Sequence, residues 1–390
     1  MENIIFHIDV NNAFLSWTAI DYLNHGYKYD IRKMVAVIGG NEERRAGIVL
    51  AKSIEAKKCN IKTAETLYSA RKKFKNLKVF PPNYKFYEEM SSKLFNLLSK
   101  YTPDIEIASI DECYLDYGKV KNLYGDEAIF ANKLKEEIKN TLGFTVNIGI
   151  ANNKLCAKMA SDFLKPDKVH TLYDYEIKDK MYPLDIDDLF GVGKSTGERL
   201  KQLKINTIGD LAQSDPNNLK KYFKNQVTYL IERAKGVDNS MVNATIEDPV
   251  SISNETTLVK DTDDVIILKK HLFDLSEQLG ERVRKQNKYA STVAIILKDN
   301  LFKRKNHQKK LKNPINSNID IYKASCMVFD EMVLDQKVRL IGIRLDNLVD
   351  NKSHQISLFE PYNESEEKLD KVIDNLKDKY GNDIIKKINL

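Results

Sequence analysis

Four cysteines, Cys59, Cys113, Cys156 and Cys326, are scattered through 390 residues with no Cys-x-x-Cys pair. That scatter indicates neither a disulfide framework nor a cysteine zinc site, and reads as buried free thiols in a reducing compartment. No stretch of about 18 uninterrupted apolar residues occurs, and the start lacks a basic region followed by an apolar one and a cleavage site. No membrane is implied and a cytoplasmic location is expected. Glycine and proline are sparse, at 16 and 9, beside abundant Lys and Asn; this fits an AT-rich genome as well as any structural cause and carries no functional reading. The basic excess is mild, a net +6 with an isoelectric point near 8.7, and it fits a polyanionic partner without proving one. The length exceeds one ordinary core and suggests two to four domains.

What is present centres on residues 106–117, where apolar strand formers flank Asp111 and Glu112. The run reads as a hairpin with both acids at its tight end. Neighbouring strand residues point to opposite faces, so only a turn or bend lets both carboxylates converge. Like charges a few Å apart oppose joint ionisation, and a divalent metal removes that cost. A solvated turn is the plainer alternative for the pair alone. The nearly all-apolar run Ile4 to Val10 carries Asp9 near its end and reads as a strand buried on both faces. Beside the hairpin in one sheet, it would complete a three-carboxylate cluster of hard oxygen donors, suited to Mg²⁺ or Mn²⁺ and a phosphate-bearing substrate.

Further along, the helical spacing of Ala13, Phe14, Trp17, Ile20 and Leu23 predicts a helix entered directly from the first strand. Helices are expected over 84–101 and 126–142, and a strand over 145–150. The order strand, helix, hairpin, helix, strand is that of a ferredoxin-like unit with helices on one face of an antiparallel sheet. Residues 189–200 and 205–211 look like a helix-hairpin-helix, in which Gly191, Val192, Gly193 and Lys194 open a helix towards a phosphate. Beyond a linker, strands over 292–298 and 338–345 and helices over 264–286 and 319–334 suggest a second α+β unit. Its basic residues, Arg284, Lys303, Arg304 and Lys305 among them, crowd a region almost free of acids, the footprint of nucleic-acid backbone binding.

Residues 9–14, 109–112 and 153–161, with Lys165-Pro166, together resemble Y-family (translesion) DNA polymerases, nearest the bacterial polymerase IV group. The likeness keeps the family's order and spacing from about residue 3 to 380. It implies an α+β, right-hand polymerase: a ferredoxin-like palm (1–11 and 79–170), small fingers (12–78), a helix-hairpin-helix thumb (171–237), a linker (238–247), an α+β little finger (248–350) and a tail (351–390). By the same resemblance Asp9, Asp111 and Glu112 are catalytic and, with the carbonyl of Val10, hold two Mg²⁺. Asn12, Ala13, Phe14, Lys57, Lys158 and Lys165 bind the nucleotide, Phe14 being the steric gate against a ribose 2′-hydroxyl. Ala13 stands where a second aromatic is frequent, Asn12 where a small apolar residue is, and Ile54 where a tyrosine usually touches the phosphates.

In the tail, Gln355, Leu358 and Phe359 resemble a peptide that docks on the bacterial sliding clamp, and Leu369, Val372, Ile373, Leu376 and Tyr380 share one helical face that is expected to pack on something. The implied activity is low-fidelity, template-directed addition of dNTPs to a primer-template, without proofreading, by a monomer. A nucleotide cyclase and a catalytically inactive DNA- or clamp-binding factor are the alternative readings.

Overall fold

The computed structural model describes residues 3–42, 45, 47–245, 248–350 and 364–381; the clamp-like Gln355, Leu358 and Phe359 lie outside them. Two compact units are present, Met1–Gly40 with Ile48–Ile246, and Asn41–Gly47 with Glu247–Leu390. Among the described residues no helix is long and apolar enough to cross a membrane.

The first unit opens with β1 (Ile5–Val10), α1 (Ala13–Asn24), β2 (Ala36–Gly39), β3 (Val49–Lys52), α2 (Ile54–Lys58), α3 (Leu67–Lys73) and β4 (Lys78–Phe80). It continues through α4 (Tyr84–Leu98), β5 (Ile105–Ile107), β6 (Glu112–Asp116), α5 (Lys121–Tyr124), α6 (Glu127–Leu142), β7 (Val146–Ala151), α7 (Lys154–Asp162) and β8 (Val169–Thr171). Helices α8 (Lys194–Gln202), α9 (Ile208–Ala212), α10 (Pro216–Phe223) and α11 (Val227–Ala234) follow.

A five-stranded sheet in the order β5-β6-β1-β7-β8 forms its centre. Its pairings are antiparallel except for the parallel β7–β8 edge. Strand alternation divides the side chains between two covers. Phe6, Ile8, Val10, Cys113, Leu115, Ile148 and Ile150 pack with Met90, Leu94, Phe130 and Leu134 of α4 and α6. Ile5, Tyr114 and Ala151 join Leu155 and Met159 of α7 in a core that continues into the four helices of residues 194–234.

The approach of α7 depends on Gly149 of β7. A Cβ there would lie 2.0 Å from the carbonyl oxygen of Ala157 and 2.5 Å from the amide nitrogen of Ser161, backbone atoms that cannot yield separately. Gly149→Ala should destabilise the first unit by about 3 kcal/mol. Urea unfolding read by circular dichroism checks this, and a loss below about 1 kcal/mol would show that the helix can lift.

A three-stranded sheet, β3-β2-β4, backs onto α2 and α3 through a small core of Val37, Val49, Ala56, Leu67 and Ala70. Residues 236–243 are not a free linker. The Gly236 carbonyl accepts from the Asn153 amide at 2.9 Å, Asp238 accepts from the Leu155 N–H at 3.1 Å, and the Asn243 N–H donates to Glu106 at 2.8 Å.

The second unit comprises β9 (Ser251–Thr262), α12 (Val265–Lys285), β10 (Tyr289–Asp299), β11 (Arg304–Ile315), α13 (Asn318–Asp330), β12 (Val338–Val349) and α14 (Glu364–Tyr380). Its sheet runs β11-β10-β12-β9, antiparallel throughout. Two of these strands, β9 and β11, carry no apolar alternation, because they are edges whose polar residues face water.

Helix α14 does pack, but not through its apolar stripe, of which Ile373 is half-buried and Leu369, Val372, Leu376 and Tyr380 are exposed. Its acidic side docks instead. Asp374 takes the Arg284 guanidinium at 2.7 and 2.9 Å, Asp370 lies 3.3 Å from it, and Asp378 meets Lys285 at 2.9 Å. The physical reason is Arg284 itself. With its side chain 3% exposed, it needs counter-charge, and two carboxylates one helical turn apart supply it.

Candidate active site

Asp9 and Glu112 stand opposite each other on β1 and β6. Both belong to the sheet face covered by α7, because the residues alternating with them face α4 and α6. Asp111 ends the turn before β6. Its backbone carbonyl accepts the Val10 N–H at 3.0 Å, and its carboxylate accepts the Ser109 hydroxyl at 2.7 Å.

Lys158 enters from α7 and reaches both facing acids, with Nζ 2.8 Å from Glu112 Oε1 and 3.3 Å from Asp9 Oδ2. Lys165 Nζ lies 3.0 Å from the same Asp9 oxygen and 2.7 Å from Asp162. Burial pushes the Asp9 carboxyl up to about 7, although both lysines pull the other way. Glu112 moves oppositely, held well below the usual carboxylate range by the facing His7 ring and by the Lys158 ammonium. Burial opposes the charge on Lys158, but Asp9, Glu112 and Asp162 more than offset it and raise its pKa. His7 is kept neutral by burial, with Nδ1 2.8 Å from Ser161 Oγ. The lysine that the resemblance assigns to the nucleotide is therefore bonded to the carboxylates themselves. Only its position after Asn153 was legible; its burial was not.

Two carboxylates in contact, one of them raised by burial, form the arrangement that a divalent cation relieves. Asp9 and Glu112, with Asp111 and the Val10 carbonyl next to them in the chain, are hard oxygen donors that fit such an ion. The expected cluster of three carboxylates is not assembled: among the described residues no three His, Cys, Asp or Glu side chains gather to hold a metal ion. An open site of one or two carboxylates, completed by substrate phosphates, is how Mg²⁺ is ordinarily held.

The chain leaves β1 through Asn12, which is left-handed at φ 47°, a conformation asparagine tolerates better than most residues. Ala13 is buried beneath the start of α1, whereas Asn12 is exposed. The Phe14 ring is half-buried, stacked on Tyr87 at 4.6 Å and meeting Tyr84 edge-on at 5.9 Å. An aromatic so buttressed has little freedom to swing aside.

Three stretches match the impB/mucB/samB family: residues 8–162, its helix-hairpin-helix at 175–205 and its C-terminal domain at 249–358. DNA polymerase IV of Clostridium acetobutylicum is 47% identical over 99% of this chain and 97% of its own length. DNA polymerase IV 1 of Bacillus subtilis is 32% identical over 99% and 92%. Among solved structures, a Y-family DNA polymerase chimera superposes with a TM-score of 0.78 at 28% identity, covering 89% of this chain and all of that one. The chain belongs to the Y-family of translesion DNA polymerases.

In this Y-family polymerase the Lys57 side chain is exposed on the short helix α2. Sequence reasoning passed over Lys52, at the end of β3. Burial, then the nearby Lys57 charge, lowers its pKa, and its ammonium donates to the Thr63 hydroxyl at 3.4 Å. A lysine closing an apolar strand was the only signal for it.

At the thumb motif, Gly191 has φ +96°, a conformation that a side chain would strain. Gly193 is the N-cap of α8 and Lys194 its first residue, so the first amides of a nine-residue helix point outward with the positive end of its dipole. Thr207 and Asp210 form a reciprocal capping box on α9.

In the second unit the basic patch separates into four parts. Arg284 is buried under α14 and also donates to the Asn316 carbonyl at 2.9 Å; its guanidinium is not at the surface. Lys305 shares the sheet face of Leu297, which packs with the helices, and pairs with Asp335. Arg304 pairs in register with Lys298, Lys310 with Thr292 and Arg344 with Ala294, which places these four cations on the opposite, open face. Lys303 lies in the exposed turn before β11. The patch is less one-signed than the linear sequence suggests, since Glu255 reaches Arg304 and Glu331 reaches Lys309 from other elements.

Proposed function

We propose that this translesion DNA polymerase adds dNTPs to a primer 3′-hydroxyl at a site built on Asp9, Asp111 and Glu112. The observation that carries this is the pairing of Asp9 with Glu112 across β1 and β6, two residues before the turn into the helix that bears Phe14. Membership of the family implies a divalent-metal requirement, and two Mg²⁺ held by Asp9, Asp111, Glu112 and the Val10 carbonyl is the count we favour. Such ions supply a lowered pKa at the 3′-hydroxyl and counter-charge for the triphosphate.

The chain's own groups do the rest. Lys165, half-exposed beside Asp9, offsets charge on the departing pyrophosphate. Lys158 orients both carboxylates from behind, and Lys52 with Lys57 attracts the triphosphate from the fingers. Phe14 occupies the volume a 2′-hydroxyl requires. The thumb amides at Gly193 and Lys194 hold backbone phosphate without reading sequence, as do Lys298, Lys303, Arg304, Lys310 and Arg344. The segment carrying Gln355, Leu358 and Phe359 binds the sliding clamp.

Primer extension on an undamaged template with Mg²⁺, native chain against Asp111→Ala, tests the reading. Incorporation should follow the template base in the native protein and fall on the order of 10³-fold in the variant. If neither protein extends a primer that both bind, a DNA-binding accessory role replaces the polymerase reading.

A further inference from the structure

Helix α14 lies beyond the last residue matched to the family, 358, and it is docked with its polar side inward. Around its axis, Asp370, Asp374 and Asp378 face α12, while Leu369, Val372, Leu376 and Tyr380 fall roughly opposite them at 100° per residue. Those four are exposed to 59, 54, 38 and 56%. A bidentate Arg284–Asp374 pair, with Asp370 also accepting the Asn318 N–H at 2.8 Å, fixes the helix against rotation. An apolar stripe held outward in this way marks an interaction surface.

We infer that this stripe is a second contact with the sliding clamp, lying beside the groove that takes the Gln355–Phe359 peptide. The inference rests on the clamp reading given above. Chain length selects this occupant. Four residues lie between Phe359 and Glu364, so α14 begins five residue steps, no more than about 17 Å, from the seated peptide, and Leu369 follows about 8 Å further along the helix. Any partner gripping the peptide is therefore held within reach of the stripe. Lys379 borders it on one side and Lys377 on the other, so the receiving patch is apolar with acids at its borders.

The test is the affinity of the full chain for purified sliding clamp by surface plasmon resonance. Three proteins are compared: native, Leu358→Ala with Phe359→Ala, and Val372→Ser with Leu376→Ser. The peptide variant should lose at least 100-fold and the stripe variant about tenfold, while clamp-free primer extension stays native in both. Unchanged protection of α14 from limited proteolysis establishes that the serine variant keeps the helix docked; Tyr380→Ala, at the helix end, provides an independent substitution with the same expected direction. Native affinity in both stripe variants, beside a defective peptide variant, overturns the inference and leaves the clamp reading standing. Native affinity in the peptide variant as well removes the clamp reading and the inference with it. A concentration-dependent dimer of the native chain that the serine variant abolishes would assign the stripe to a second copy and overturn the inference.

Discussion

Exchanging Asp9 for asparagine is expected to cut primer extension on the order of 10³-fold or more while leaving the fold in place. The amide keeps the shape of the side chain but removes the charge that faces Lys158 and Lys165 and weakens the oxygen set offered to a cation. Steady-state incorporation of a single dNTP measures the loss; less than about tenfold would remove Asp9 from the machinery. A second readout is independent of turnover. The folded pKa of Asp9, about 7, lies above the roughly 3.9 of an unfolded chain. Between these values the folded state keeps a proton that the unfolded state has lost, so metal-free protein loses stability as pH rises through that window. The lowered pKa of Glu112 acts below it, where its stabilising contribution is lost on acidification. Urea unfolding of chelated protein at pH about 5 and about 8 should show a decline for the native chain and a flatter response for Asp9→Asn.

Phe14→Ala should cost little with dNTPs and admit ribonucleotides, with discrimination falling about 100-fold. That figure is the size of preference an apolar surface can impose against one added hydroxyl. The stacked Tyr87, whose hydroxyl is 2.6 Å from Thr18 Oγ1, is anchored on its far side and cannot follow the truncation. Competition between dCTP and CTP at a templating guanine decides the matter. Unchanged discrimination would return Phe14 to the role of a core aromatic.

Much of the fold was legible because its signals are local. The apolar run of β1, the hairpin ending in Asp111 and Glu112, the helical stripes of α4 and α6, and the glycines before α8 each carry their own pattern. What escaped depends on partners far away in the chain. Arg284 looked like one cation among many until α14 brought Asp370 and Asp374 to it. The stripe on α14 could not be oriented for the same reason, since amphipathicity gives two faces without saying which one docks. Lys158 and Lys154 share a helix face, yet one enters the carboxylate pair and the other is bonded by Glu106 at 2.6 and 2.7 Å. Lys52 became visible only through its neighbour Lys57, and β9 and β11 only through the strands they pair with.

The position of β1 has a consequence for how the protein is made. It precedes both of its sheet partners in the chain by more than 100 residues, yet it lies between β6 and β7 in the finished sheet. Ile5 waits for Asp116 on one side and for Ala151 on the other, a delay on the order of ten seconds at ordinary rates of synthesis. During that interval an almost wholly apolar segment, bearing the first catalytic acid, has neither neighbour available. The carboxylate pair of Asp9 and Glu112 therefore cannot assemble until a long-range pairing closes, and the exposed apolar strand is an aggregation hazard until it does.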